Sequence, residues 1–168
     1  MERFQIAALV VATITLGIMT GIFQVYAYAI MPGLSRTDDR TFVGAFQAID
    51  RALVNPLFLA TFLGALLLTG LAALLALFGD GRSALLWVVA ALVLYALVVV
   101  VTFAVNVPLN DQLGADGDPD RVADLRAVRE RFSEGAWVRW NLVRAVASTG
   151  AFACLAWALV LQGRSGPA

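Results

Sequence analysis

The sequence predicts an all-α protein: a four-helix transmembrane bundle with short amphipathic helices in two long connections on one membrane side. Three observations carry this expectation. The chain of 168 residues is 61% hydrophobic and only 14% charged, against about 45–50% apolar and about 25% charged residues in soluble domains. Four apolar stretches, approximately residues 6–30, 56–78, 84–105 and 142–161, are each near the ~20 residues a helix needs to cross a bilayer. Backbone groups in hydrocarbon must be satisfied within their own segment, so such stretches are helices.

The first stretch, after Arg3, resembles a secretory signal, with Ala27-Tyr28-Ala29 as a cleavage-like triplet. Its apolar part is longer than the roughly 7–15 residues of a signal core, so it reads as a retained span. Met31-Pro32-Gly33 is expected to break that helix. Thr37 is then expected to cap an amphipathic helix, with Asp38 and Asp39 in its favourable first turn. Phe42, Phe46, Ile49 and Leu53 mark its apolar face. Asn55 caps the second span, with Pro56 at its first helical position. Residues 79–83, GDGRS, form a tight turn. Pro108 ends or kinks the third span. Asp118-Pro119 is expected to open another amphipathic helix, with Val122, Leu125, Val128 and Phe132 on one face. Ser133-Glu134-Gly135 interrupts before the last span. Residues 1–168 read as a single integral membrane domain, without repeats.

Composition limits the chemistry. The chain has no histidine, so a histidine-ligated haem, copper or non-haem iron centre has no ligands. Histidine-based nucleophilic triads are excluded for the same reason. No metal site and no cofactor are expected. The lone cysteine, Cys154, lies in an apolar run and reads as a small buried hydrophobe. All twelve basic residues are arginine and the formal net charge is zero, so nothing points to nucleic acid. The expected partners are the lipid bilayer and a small hydrophobic ligand; the sequence does not address oligomerisation. The expected location is the cell membrane, as a multi-pass protein. Arg3, Arg82 and Arg164 share one side; Arg36, Arg40, Arg51, Arg121, Arg126, Arg129, Arg131 and Arg139 share the other. The positive-inside rule therefore favours cytoplasmic long connections, with both termini outside.

Polar residues inside spans are costly unless partnered. Thr13, Gly17, Thr20, Gln24 and Tyr28 follow helical steps on the first span, and Gly17 with Gly21 permits close helix approach. Tyr95, Thr102 and Asn106 share a face of the third span, which Asn110 extends if the helix continues. Trp137, Asn141, Arg144 and Ser148 share a face of the fourth. A buried Arg144 needs an acid or several carbonyls, and Asp50 is the first-choice acid. Trp137 and Trp140 also suit an interfacial belt. Together, Gln24, Tyr28, Asp50, Asn55, Asn106, Asn141 and Arg144 would line a polar pocket at one end of the bundle, and a mostly apolar cavity with few convergent polar groups is the usual form of a small-molecule site.

The order MPGL (31–34), FQAIDRALVNP (46–56), VTFAVNVPLNDQL (101–113) and WVRWNLVRAVAS (137–148) resembles the anthrone-oxygenase-like family of small four-span membrane proteins. The resemblance covers nearly the whole chain. It implies a membrane bundle. It also implies, through fungal relatives that oxidise polyketide anthrones to anthraquinones with molecular oxygen, an oxygenase or oxidase acting on an anthrone-like or quinone-like compound. Bacterial members often carry histidine after the asparagine of WxxWN; here that position is Leu142. In this setting Asp50 would be the base, and Arg144, Asn106 and Asn141 would hold the developing oxyanion. Tyr28, Trp137 and Trp140 would flank the rings, with Gln24, Asn55 and Asn110 as further substrate contacts. The competing reading is a non-catalytic membrane protein whose polar cluster is a structural lock or holds a lipid. A walled cavity touching Asp50, Asn106 and Arg144 would favour the first; mutual saturation without a void would favour the second. No repeated half supports a transporter.

Overall fold

The four apolar stretches are helical in the computed structural model, which describes residues 2–79 and 82–165. Helix α1 covers residues 2–34 and passes through a π-helical turn at Tyr26–Ile30. Helix α2 is Asp39–Leu53 and helix α3 is Pro56–Phe78. Helix α4, Arg82–Ala115, contains a second π-helical turn at Thr102–Asn106. A short α5, Leu125–Phe132, precedes the long α6, Glu134–Ser165. The described residues contain no strand. Helices α1, α3, α4 and α6 are each long and apolar enough to cross a membrane.

These four close into a ring. Helix α1 packs on α3 and α6, and α4 packs on the same two. Each neighbour therefore runs antiparallel to the next. Fully buried Ala12, Ala65, Ala91, Ala145, Ala151 and Ala158 let the helices approach, as small residues do where lipid supplies little hydrophobic drive. At Gly17 an added Cβ would lie 3.0 Å from the Phe152 ring, whereas at Gly21 it would meet nothing within 4 Å. The close approach expected of both glycines thus belongs to Gly17. Thr13 and Thr20 donate to the carbonyls of Leu9 and Leu16 in their own helix, which removes their need for a polar neighbour.

The prolines do not stop the helices. Proline lacks an N–H and its ring crowds the carbonyl four residues earlier. In α1 the N–H of Met31, just before Pro32, reaches back five residues to the Tyr26 carbonyl. In α4 the N–H of Val107, just before Pro108, reaches the Thr102 carbonyl in the same way. One extra residue in each turn widens the helix and makes room for the ring. The expected break at Pro32 and stop at Pro108 are therefore corrected: α1 continues to Leu34 and α4 to Ala115.

At about 1.5 Å per residue, α3 is matched to a hydrocarbon core of roughly 30 Å, while α1, α4 and α6 overshoot it. Their overshoot carries α2 and α5. Phe42, Phe46, Leu113, Val128, Phe132 and Trp137 form a second core there. Two predicted boundaries move. Asp38, not Thr37, caps α2 by accepting from the Thr41 N–H; Thr37 donates to the Leu34 carbonyl instead. Asp118-Pro119 lies in irregular chain, and α5 begins only after its cap, Asp124. Ser133 alone, in the left-handed region at φ 54°, separates α5 from α6. Of the GDGRS turn, Asp80 and Gly81 lie outside the described residues.

Arg129 fastens this cap. Its guanidinium donates to the Thr37 carbonyl and Asp39 at 3.1 Å, to the Ser35 carbonyl at 3.2 Å and to Glu134 at 3.0 Å. It also stacks 4.2 Å over the Phe42 ring. Hydrogen bonds to charged groups each contribute about 1.5–3 kcal/mol. Arg129→Met is therefore expected to lower unfolding free energy by about 3 kcal/mol in detergent, read as a fall in the thermal midpoint. An unchanged midpoint would show that the cap does not depend on Arg129.

Candidate functional site

Helix α3 starts late, at Pro56, and the end of α2 lies over the space it leaves. A cavity of about 120 Å³ opens there. Its walls are Ile22, Phe23 and Tyr26 from α1; Phe46, Asp50 and Leu53 from α2; Val54 and Phe58 at the start of α3; Thr102, Asn106, Val107, Asn110 and Asp111 from α4; and Trp137 and Arg144 from α6. Both π-helical turns contribute, Tyr26 from one and Thr102 with Asn106 from the other. π-Helical turns recur at functional sites in proteins generally.

Arg144 sets the electrostatics. It is only 7% exposed. The expected partnership with Asp50 does not form, and no ion pair to Arg144 exists among the described residues. Its guanidinium donates instead to Asn141 Oδ1 at 2.9 Å and to Thr102 Oγ1 at 3.4 Å. It also lies 4.8 Å from the Phe23 ring centre and 5.3 Å from that of Trp137. An aromatic face stabilises a desolvated cation by about 2 kcal/mol. None of these partners neutralises the charge. Arg144 Nε and Asn106 Oδ1 are buried with no hydrogen-bond partner among the described residues. One is a donor and the other an acceptor.

Asp50 occupies another part of the wall. Asn110 donates to its carboxylate at 2.7 Å, and Trp137 Nε1 donates to Asn110 Oδ1 at 2.7 Å. This chain ties α2, α4 and α6 together. Burial pushes the Asp50 pKa above the usual carboxyl range; the Asn110 hydrogen bond opposes the push, the Asp111 charge adds to it and Arg51 opposes it. Tyr26, 5.5 Å from the Trp137 ring centre, lies within electrostatic reach of both Asp50 and Arg144.

Of the polar and aromatic residues singled out within the spans and as site candidates, Asp50, Thr102, Asn106, Asn110, Trp137 and Arg144 line this cavity. The others do not. Asn141 sits behind Arg144, donating to the Phe23 carbonyl at 3.2 Å, and so positions the guanidinium. Gln24 spans to Thr149 on α6 at 2.9 Å. Tyr28 is 69% exposed. Asn55 caps α3 by accepting from the Phe58 N–H. Trp140 is 41% exposed and belongs to the bundle surface. Tyr26, Phe23, Phe46 and Phe58 were not anticipated. The signal for Tyr26 is the apolar stripe Leu9, Leu16, Met19, Phe23, which it continues. Among the described residues, no three His, Cys, Asp or Glu side chains cluster to hold a metal ion.

The anthrone oxygenase family model matches residues 56–154, more than half of the sequence. The chain belongs to the anthrone oxygenase family. The matched segment holds Thr102, Asn106, Asn110, Trp137 and Arg144, whereas Tyr26 and Asp50 precede it. No curated protein and no solved structure matches the chain. Leu142, where bacterial members of the anthrone oxygenase family often carry histidine, is 54% exposed. On this backbone a histidine there would face outward, away from the cavity.

The Asp50 environment has a stability consequence. Its folded pKa is raised above the unfolded value of about 3.9. Folding therefore favours the protonated carboxyl, and the ionised form costs stability progressively as pH rises through that value and the folded one. Asp50→Asn keeps an acceptor for Asn110. It is expected to raise the thermal midpoint at neutral pH and to leave it nearly unchanged near pH 4. Equal effects at both pH values would contradict this assignment. Asn110→Leu strands both Asp50 and the Trp137 N–H, and should lower stability by about 2–4 kcal/mol.

Proposed function

We propose that this chain is a membrane-embedded oxygenase that oxidises a fused-ring aromatic ketone of the anthrone type with molecular oxygen, without a cofactor. The observation that carries the reading is Arg144: a buried cation with no acid partner among the described residues, on the wall of an aromatic-lined cavity that also holds a carboxylate. Membership of the anthrone oxygenase family supports the same reaction class. A ligand that becomes anionic supplies the charge that Arg144 lacks.

The chemistry balances as anthrone plus O₂ giving anthraquinone plus water. Asp50 takes one hydrogen, as a proton, from the methylene opposite the ketone. The electron pair delocalises into the ring system, and negative charge develops on the ketone oxygen. Arg144, through its unpartnered Nε, stabilises that oxyanion, while Asn141 and Thr102 hold the guanidinium in place. The carbanion carbon gives one electron to O₂, and the resulting radicals couple to form a C–O bond. The peroxide takes up the proton. Loss of the second methylene hydrogen then breaks the O–O bond, forming the new ketone and releasing water. Asn106 Oδ1, an acceptor without a partner, suits a ring hydroxyl neighbouring the ketone.

Burial raises the Asp50 pKa, which makes its carboxylate a stronger base than a solvated one. The rival reading, a structural lock, draws on the Asp50–Asn110–Trp137 chain joining three helices. The two readings part on the unpaired Arg144 Nε, which a completed lock would have satisfied. The cell-membrane location, with the arginine-rich long connections on the cytoplasmic side, is part of the same proposal.

The test is oxygen uptake by purified protein in nanodiscs supplied with anthrone, with anthraquinone as product. Arg144→Ala is expected to reduce kcat by about 10²-fold, the usual loss when one oxyanion donor is removed. In Asp50→Asn the rising limb of kcat/KM with pH should disappear. Wild-type uptake no faster than in protein-free nanodiscs would overturn the oxygenase reading, as would Arg144→Ala that folds and keeps full activity.

A further inference from the structure

A cavity of about 120 Å³ is small for three fused rings; an engineered cavity of about 150 Å³ holds one benzene. A second hollow adjoins it, a groove of about 460 Å³ on the outer face between α1, α2 and α3. Ile18, Met19, Ile49, Ala52, Asn55, Leu57 and Thr61 belong to the groove alone. Ile22, Leu53 and Phe58 line both spaces. Those three side chains are therefore the partition between the polar cavity and the groove. The groove wall is almost entirely apolar, and Leu57, at its edge, is among the most exposed large side chains of the protein.

We infer that the two spaces form one binding site, reached laterally from the bilayer between α1 and α3. The reacting ring enters the cavity beside Arg144 and Asp50, and the remaining apolar rings of the same molecule occupy the groove. The inference rests on the proposed oxygenase reading for the identity of the ligand, a neutral, flat, membrane-dissolved aromatic. It adds the route and the subsite that accepts the unreactive end. Three features argue for this occupant. The cavity holds about one ring, the groove lies directly behind the Ile22, Leu53 and Phe58 walls of that cavity, and the groove's own lining is apolar except for Asn55 and Thr61.

The test fills the groove without touching the cavity. Ala52→Trp on α2 and Thr61→Trp on α3 are compared with wild type in nanodiscs. Thermal midpoints confirm folding; the two positions are on different helices, so one misfolded variant leaves the other informative. Each is expected to raise KM for anthrone about tenfold, equivalent to about 1.4 kcal/mol of binding, with kcat little changed. Anthraquinone binding, measured directly by equilibrium dialysis against the nanodiscs, should weaken equally. Oxidation by folded variants with KM unchanged would overturn the lateral site and leave the oxygenase reading standing. Anthraquinone binding weakened by both variants, in a wild type that does not oxidise anthrone, would uphold the groove while the oxygenase reading fails. Wild-type binding of anthraquinone that both variants leave unaffected would overturn the groove whatever the oxidation result.

Discussion

A positive charge with no acid partner among the described residues organises the capped end of this bundle. Arg144 enters from α6 at the start of an uninterrupted apolar run, where desolvation is expensive. The protein answers with dipoles and ring faces: Asn141 and Thr102 accept its hydrogen bonds, and Phe23 and Trp137 lie against it. Each of those groups is held in turn. Asn141 is anchored on the Phe23 carbonyl, and Trp137 donates to Asn110, which reaches Asp50. One cation thus fixes the relative placement of four elements while its own charge stays uncompensated. That combination is expensive for a purely structural device and natural for a site whose partner arrives and leaves.

The scaffold around it follows from length mismatch. Three spanning helices are longer than a bilayer requires and one is not. The missing turns of α3 leave room at the interface, and α2, tethered through Asn55-Pro56, covers that room from outside. Aromatic packing between α2, α5 and the ends of α1 and α4 makes the cover firm, and Arg129 ties it to the chain leaving α1 and to the first turn of α6. The cavity exists because helices of unequal length were joined, not because a packed core was hollowed.

Much of this was legible in the sequence, and for identifiable reasons. Span positions depend on length and hydropathy, which composition displays directly. Arg144, Asn106, Asp50 and Trp137 were visible as chemistry out of place in an apolar context. Which polar residues of a span reach the cavity was harder to read. Thr13 and Thr20 satisfy themselves on their own backbone and Gln24 bonds to Thr149, so the stripe they form with Tyr28 does not line this cavity. The inward stripe was the apolar one, ending at Tyr26. The second source of error was proline. Helix-breaking rules written for water overlook that, inside a bundle, breaking the helix costs more than widening it. Finally, the search for an acid beside Arg144 assumed neutralisation within the chain, which no pattern of spacing can establish.

The two widened turns have a mechanical meaning. An α-helix advances by about 100° per residue, so each extra residue acts as a fixed gear offset between the part of the helix in lipid and the part above it. Below the offset, α1 and α4 are indexed to their bundle neighbours; above it, they are indexed to α2 and α5. Deleting one residue from Thr102–Asn106 would leave the rest of the α4 sequence unchanged. It would also turn Asn110 and Leu113 about a quarter of the way round, away from Asp50 and the capping core. Chain length within these five-residue windows is therefore as much a determinant of the site as the side chains that line it.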